Sequence, residues 1–218
     1  MAFTTLPGIA WPSLTTGITA YVGLLTVGGL RASDTVVVSA AAGATGSVAC
    51  EVARIRGARV IGIAGGSDKV RYLEDELGIA AGIDYKNEDV AKRLAELAPQ
   101  GVNLFFDNVG GNILDAVLEN IAPEARVVIC GAISQYPRLD DVTGPKRYLR
   151  LAERNASMRG FTVDYWSKAH PQAEADMSAW LSEGKFKLRE EVLDGIDRFP
   201  EAMLMLYTGH VGKLMVAP

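Results

Sequence analysis

Cysteine and histidine are scarce: the 218 residues hold two of each, Cys50 and Cys130, His170 and His210. Two cysteines far apart in sequence make no disulfide scaffold and fit a reducing cytosol. Together the four side chains do not readily complete a three- or four-ligand zinc site, which excludes the usual zinc enzyme. Positive charge is also short, 22 Lys+Arg against 26 Asp+Glu for a formal net charge of −4. A nucleic-acid surface needs clustered cations, so that class is set aside. Long apolar runs are missing too: no window of about 18 residues is apolar and free enough of charge and breakers to span a bilayer. The start, Met1 to Gly8, has neither the basic segment nor the apolar core of a secretory signal. The longest uncharged stretch, 1–30, is broken by Pro7 and Pro12, and its later part, Gly17–Val27, reads as a buried helix. These absences predict a cytoplasmic protein with no membrane and no nucleic-acid partner. At 49% hydrophobic residues, the chain has ample material for one large core.

What is present alternates two periods. Thr35–Ser39 is a β-branched run suited to a strand buried on both faces. Ser47–Arg56 then carries Val48, Val52 and Ile55 at helical spacing. The alternation continues with strand Arg59–Ala64, helix Lys69–Leu77 stopped by Gly78, strand Ala81–Asp84 and helix Glu88–Ala98. Strand Val102–Asp107, helix Ile113–Ile121, strand Arg126–Ile129 and a last strand over Arg159–Val163 follow. Such alternation over short loops predicts an α/β fold, a Rossmann-type doubly wound parallel sheet with helices on both faces. From about Asp164 the pattern turns helical, Pro171–Ser182 and Phe199–Thr208, and ends on a short strand, Lys213–Val216. The expected organisation is a lead-in helical segment (1–33), a dinucleotide-binding domain (34–163) and a helical C-terminal tail with a final strand (164–218).

The turn after the first strand, Ala40 to Ser47, matches a Gly-x-Gly-x-x-Gly fingerprint as Ala41-x-Gly43-x-x-Gly46, with alanine in first place. Gly43 lets the backbone approach a pyrophosphate, and Gly46 lets the next helix sit close on the strand. The helix start turns free N–H groups and a positive dipole end toward the phosphates. A tight turn with no ligand is the alternative. At the end of the second strand an NAD site usually places Asp or Glu for the ribose hydroxyls. Here the residues are Ala64-Gly65-Gly66-Ser67-Asp68-Lys69, with Asp68 read as a helix N-cap and Lys69 in reach of a 2′-phosphate. NADP(H) is therefore expected over NAD(H), with a plain solvated helix-start lysine as the other reading of Lys69.

Four segments occur in order: Ser39–Ser47, Gly62–Gly66, Phe106-Asp107-Asn108-Val109-Gly110-Gly111 and Cys130-Gly131-Ala132-Ile133-Ser134-Gln135-Tyr136. Together they resemble the zinc-independent medium-chain dehydrogenase/reductases, in the branch of NADP-dependent alkenal and prostaglandin reductases. The resemblance runs along nearly the whole chain. It implies reduction by NADPH of the C=C bond of an α,β-unsaturated ketone or aldehyde. It implies a pyrophosphate loop at Gly43, Ala44, Thr45, Gly46 and Ser47, and a 2′-phosphate held by Lys69 and Tyr85. Asn108 is implied as a cofactor contact after the fourth strand. Cys130, Gly131, Ala132, Ile133, Ser134 and Tyr136 belong to the loop passing the nicotinamide, and Phe161, Thr162 and Val163 to a backbone segment at the same end. Two departures stand out. The family's late Asn before Gly-Lys is His210 here, within Thr208-Gly209-His210-Val211-Gly212-Lys213. The family also carries an N-terminal, barrel-like domain that walls the substrate cleft, and this chain begins about where that domain ends.

Enone reduction gathers negative charge on the carbonyl oxygen, and a donor aimed there is the expected device. Tyr136 is the candidate catalytic residue, by motif match and because a phenol is neutral and able to donate at pH 7. Its other reading is a cover over the nicotinamide ribose. Cys50 and Cys130 read as packing residues, Tyr165 and Trp166 as core, and His210 as a surface-loop histidine. The leading function is a reductase of small enones or alkenals; the alternative is a non-catalytic or repurposed NADP-binding module lacking the substrate domain. A methyltransferase usually shows an acidic residue ending strand two, and Ala64-Gly65-Gly66 offers none. A homodimer is expected if the last strand of the sheet pairs across a two-fold axis.

Overall fold

The computed structural model describes residues 15–186 and 189–217, so the first part of the lead-in segment, 1–14, lies outside the described residues. A β-branched run is best buried as a central strand, and β1 (Thr35–Ser39) is one: Val36, Val37 and Val38 have no exposed surface. Beside it lie β2 (Arg59–Ala64), β3 (Ala81–Asp84), β4 (Val102–Asp107), β5 (Ile121–Ile129) and β6 (Ser157–Gly160). All pair in parallel, in the order β3-β2-β1-β4-β5-β6. The chain reverses direction across the sheet between β1 and β4, and at such a switch point a crevice opens beyond the carboxyl ends of the strands.

Alternate side chains of each strand go to opposite faces, so the sheet separates two cores. Val36, Val38, Val60, Leu104 and Phe106 share one core with α1 (Thr15–Tyr21, continued in a wider turn over Val22–Val27), α2 (Ala44–Ile55) and α7 (His170–Ser182). Val37, Ile61, Ile63, Phe105 and Val127 share the other with α4 (Val90–Leu97) and α5 (Gly111–Glu119). Each such buried side chain contributes about 1.5–3 kcal/mol. At the amino end of the sheet Arg126 Nη2 meets the buried Asp34 carboxylate at 2.6 Å, tying β5 to the entry of β1.

Several boundaries depart from the sequence expectation. α2 begins at Ala44 rather than Ser47, and α3 (Ser67–Arg71, continued over Tyr72–Glu76) at Ser67 rather than Lys69. α4 begins at Val90 because Asp89 caps it, its carboxylate accepting the Lys92 N–H at 3.0 Å, and it ends at Leu97, where Ala98 leaves the helical conformation. α5 stops at Glu119 because β5 already starts at Ile121, before Pro123 and Glu124. Glu124 has φ 59°, and the register against β4 slips between Val102 and Leu104, so no strand alternation is legible there. β6 ends at Gly160; a tight 3-10 turn over Val163–Ala169 replaces the expected strand end. Tyr165 is 78% exposed rather than core, edge-on to Trp166, which also takes the Arg159 guanidinium at 5.1 Å. The tail is not purely helical either. β7 (Glu190–Asp194), too acidic to read as a strand, pairs in parallel with β8 (Lys213–Ala217) across α8 (Phe199–Thr208), forming a separate two-stranded sheet. Among the described residues no helix is long and apolar enough to cross a membrane.

Candidate functional site

The glycine turn is built on one left-handed residue. Ala40, just past β1, takes φ 48°, a conformation unfavourable for a side chain-bearing residue. Its carbonyl accepts the Gly43 N–H at 3.0 Å and lies 2.2 Å from where a Gly46 Cβ would stand. Only glycine fits at 46, as the fingerprint requires. Gly43 caps α2 with extended backbone and no side-chain cap. The first N–H groups of α2, at Ala44, Thr45 and Gly46, therefore have no intrahelical acceptor and stand at the positive end of a 12-residue helix. Ser47 is fully buried, its hydroxyl 3.4 Å from the Ala44 carbonyl, so it braces the turn from behind.

The strand tips are knotted together by Asp107, a residue that the fingerprint does not single out. It is fully buried at the end of β4. Its Oδ1 accepts the Ser39 hydroxyl at 2.8 Å, the Val109 N–H at 2.9 Å and the Gly110 N–H at 3.1 Å. Its backbone carbonyl accepts the N–H groups of Cys130 at 2.8 Å and Gly131 at 3.1 Å. Burial pushes the carboxyl above its ordinary value, and the hydrogen bonds oppose that shift. Asn108 gives its N–H to the Ser39 hydroxyl at 2.8 Å and its side-chain amide to the Ser39 carbonyl at 2.7 Å. Its carbonyl receives the Ile133 N–H at 3.1 Å, while the Val109 carbonyl receives the Ser134 N–H at 3.2 Å and hydroxyl at 2.6 Å. The loop after β5 thus hangs on the tip of β4. Cys130 is no nucleophile: burial and the nearby Asp107 push its thiol up to about 12. Tyr136 opens a short turn, is 49% exposed, and its hydroxyl accepts the Ala132 N–H at 3.3 Å. At the tip of β6, the Phe161 ring packs over Gly23, and the Val163 carbonyl accepts a hydrogen bond from His170 Nε2 at 3.0 Å.

Beside the glycine turn a cavity of about 510 Å³ opens between two walls. One is the β2–α3 turn, residues 65–69; the other is the tail, residues 189–191 and 209–211. The tail is pinned there by a hydrogen bond from the Gly212 N–H to the Ala42 carbonyl at 2.7 Å and a bridge between Gly43 and Gly212. Gly66, with φ 102°, caps α3 and gives its N–H to Asp84 Oδ1 at 2.7 Å. Asp68 therefore does not cap the helix; it pairs instead with Arg71 in the next turn. Asp84 also accepts the Lys86 N–H at 3.0 Å and the Asn87 side-chain amide at 2.7 Å, which hold its carboxyl below the usual range. The Tyr85 ring lies over Gly65, within 2.9 Å of where a Cβ would stand. Lys69 reaches toward the Gly209 backbone; burial first, then the Lys86 charge, lower its pKa, against the opposing pull of Glu191. His210 is half-buried on the cavity wall, its Nδ1 donating to the Met205 carbonyl at 3.2 Å, and so is not a free surface histidine. The structure thus gathers the glycine turn, Lys69 and Tyr85 at one end and Asn108, the 130–136 loop and Phe161–Val163 at the other. Lys86, next to Tyr85, and Arg189, on the distant tail, are cations that the sequence reading missed.

A parallel sheet of this order, with an uncapped helix start behind a glycine-closed turn at its switch point, defines a dehydrogenase-type dinucleotide fold. The family described as zinc-binding dehydrogenase matches residues 44–182, and the chain belongs to it. NADPH-dependent curcumin reductase of Escherichia coli is 34% identical over 207 residues, and prostaglandin reductase 1 of Rattus norvegicus 38% over 204. Each alignment takes in 92% of this chain; the chain spans 60% of the first relative and 61% of the second. The crystal structure of CurA from Vibrio vulnificus in complex with NADPH superposes with a TM-score of 0.88 at 38% identity, over 94% of this chain and 63% of that one. The family description names zinc; among the described residues no group of three or more His, Cys, Asp or Glu could hold a metal ion.

Two outcomes follow from this wiring. Asp107→Ala strips three buried donors of their acceptor and lowers stability by about 3 kcal/mol in urea unfolding, while Asp107→Asn, which keeps one acceptor oxygen, costs less. Asp84 has a folded pKa below its unfolded value near 3.9, so its stabilisation is complete above that value and lost as pH falls through the folded one. The melting-temperature gap between wild type and Asp84→Ala should stay constant above about pH 5 and close below about pH 4.

Proposed function

We propose that this chain is the cofactor-binding part of an NADPH-dependent, zinc-independent reductase of the C=C bond of α,β-unsaturated ketones or aldehydes. The observation that carries the reading is one pairing: an uncapped helix start behind a turn that admits only glycine at 46, and a half-buried lysine in the first turn of α3 on the wall of the neighbouring cavity. The end of β2 offers no carboxylate to a ribose; Asp84, at the next tip, is taken up by the Gly66, Lys86 and Asn87 donors. These residues fit a dinucleotide bearing a 2′-phosphate. Gly43, Ala44, Thr45 and Gly46 hold the diphosphate by backbone N–H groups, with Ser47 bracing the turn, and Lys69 and Tyr85 hold the 2′-phosphate. Asn108, Cys130 to Ser134 and Phe161 to Val163 line the nicotinamide end. The names of the relatives, curcumin and prostaglandin reductases, support the substrate class.

NADPH supplies the hydride when bound; the chain's own task is to orient and to stabilise charge. Tyr136 suits the second task. Its oxygen accepts the Ala132 N–H, which leaves its own O–H to donate toward a substrate carbonyl oxygen as negative charge gathers there. A homodimer is part of the proposal, through β6: the strand is the last of the sheet and all four of its residues are exposed. The free thiols Cys50 and Cys130 suit a cytoplasmic setting.

NADPH fluorescence titration should give tighter binding than NADH, and Lys69→Ala should weaken NADPH about tenfold with little change for NADH. Equal loss for both nucleotides removes the 2′-phosphate role. Tyr136→Phe should slow enone-dependent NADPH oxidation on the order of a hundredfold at unchanged NADPH affinity. NADPH binding without turnover on any enone would favour the binding-module alternative.

A further inference from the structure

The tail brings its own charges to the cavity. Gly212, at φ 75°, crosses so close to Arg189 that a Cβ would stand 2.0 Å from the Arg189 carbonyl, and that carbonyl accepts the Lys213 N–H at 2.9 Å. This crossing fixes the Arg189 backbone on the wall opposite Lys69. Among the described residues the Arg189 guanidinium makes a loose pair, 3.7 Å from the Glu76 carboxylate, with both side chains 56% exposed. Exposed pairs of that kind contribute little and exchange readily for a better partner. Glu191, two residues on, lines the same cavity as Lys69, and its negative charge opposes the lowering of the Lys69 pKa by burial and Lys86. Of the other acids nearby, Asp68 is held by Arg71, and Glu190 lies on the same wall as Glu191, its carboxyl pushed above the ordinary value by burial. A doubly charged phosphate arriving at Lys69 therefore meets a tail cation in favour and tail carboxylates against. A ribose hydroxyl, being neutral, is nearly indifferent to both.

We propose that the C-terminal tail sets the preference for phosphorylated over unphosphorylated nucleotide, with Arg189 closing on the 2′-phosphate opposite Lys69 and Glu191 releasing Lys69 to it. This rests on the cofactor reading above, and the test separates the two. Adenosine 2′,5′-bisphosphate and adenosine 5′-monophosphate are titrated calorimetrically into wild type, Arg189→Gln, Arg189→Lys and Glu191→Gln at fixed ionic strength. Arg189→Gln weakens the bisphosphate about tenfold and leaves the monophosphate unchanged. Arg189→Lys recovers part of the loss, and Glu191→Gln tightens the bisphosphate roughly threefold. All three differences shrink as salt rises, because they are charge effects at a partly open site. Arg189 is exposed, so its substitution leaves the fold intact, checked by an unchanged melting temperature. Equal effects on both nucleotides, or none from either residue, overturn the role of the tail while leaving the cofactor reading in place. A wild-type protein indifferent to the 2′-phosphate overturns both.

Discussion

One buried carboxylate organises the working edge of this molecule. Parallel strands end independently, and nothing in a ladder of backbone hydrogen bonds forces their last residues into one constellation. Asp107 does so by accepting from Ser39 of β1 and from the turn after β4, while its main-chain oxygen receives the first two amides beyond β5. Placing an acid where solvent cannot reach is costly, and its carboxyl is pushed up accordingly. The return is positional: Asn108, Cys130, Gly131 and, through them, Ile133 and Ser134 inherit their places from this group.

The same economy governs the glycine turn. Ala40 absorbs an unfavourable backbone conformation so that its carbonyl turns toward Gly46, and the absence of a side chain there lets helix and strand close. Asp84 acts as the counterpart of Asp107 on the next tip, gathering the amides of Gly66 and Lys86. An acid that might have addressed a ribose is instead spent on shaping the loop that carries Lys69 and Tyr85.

Periodicity revealed the sheet well, because strands buried on both faces must be continuously apolar and the covering helices must not. Val36 to Val38 and Val102 to Asp107 could hardly be read otherwise. It failed where tertiary pairing overrode local pattern. β5 runs through Pro123 and a left-handed Glu124, and β7 is acidic because half of it faces the cavity rather than a core. The glycine turn and the place of Lys69 were legible because fingerprint and strand ends coincide, whereas Tyr85 was reached only through the resemblance. Asp107 lies within the Phe106–Gly111 segment, but only three-dimensional proximity reveals what a buried acid receives. Arg189 was invisible for the same reason: no spacing rule links a residue near the end of the chain to a turn more than a hundred positions earlier.

The bridge between Gly43 and Gly212 joins the arm at the carboxyl terminus to the very bend that would cradle a diphosphate. Linkage runs both ways across such a junction. Any free energy the arm would lend to nucleotide capture, an occupied cleft would lend back to the arm, so nucleotide release and loosening of the arm would be coupled through this bridge.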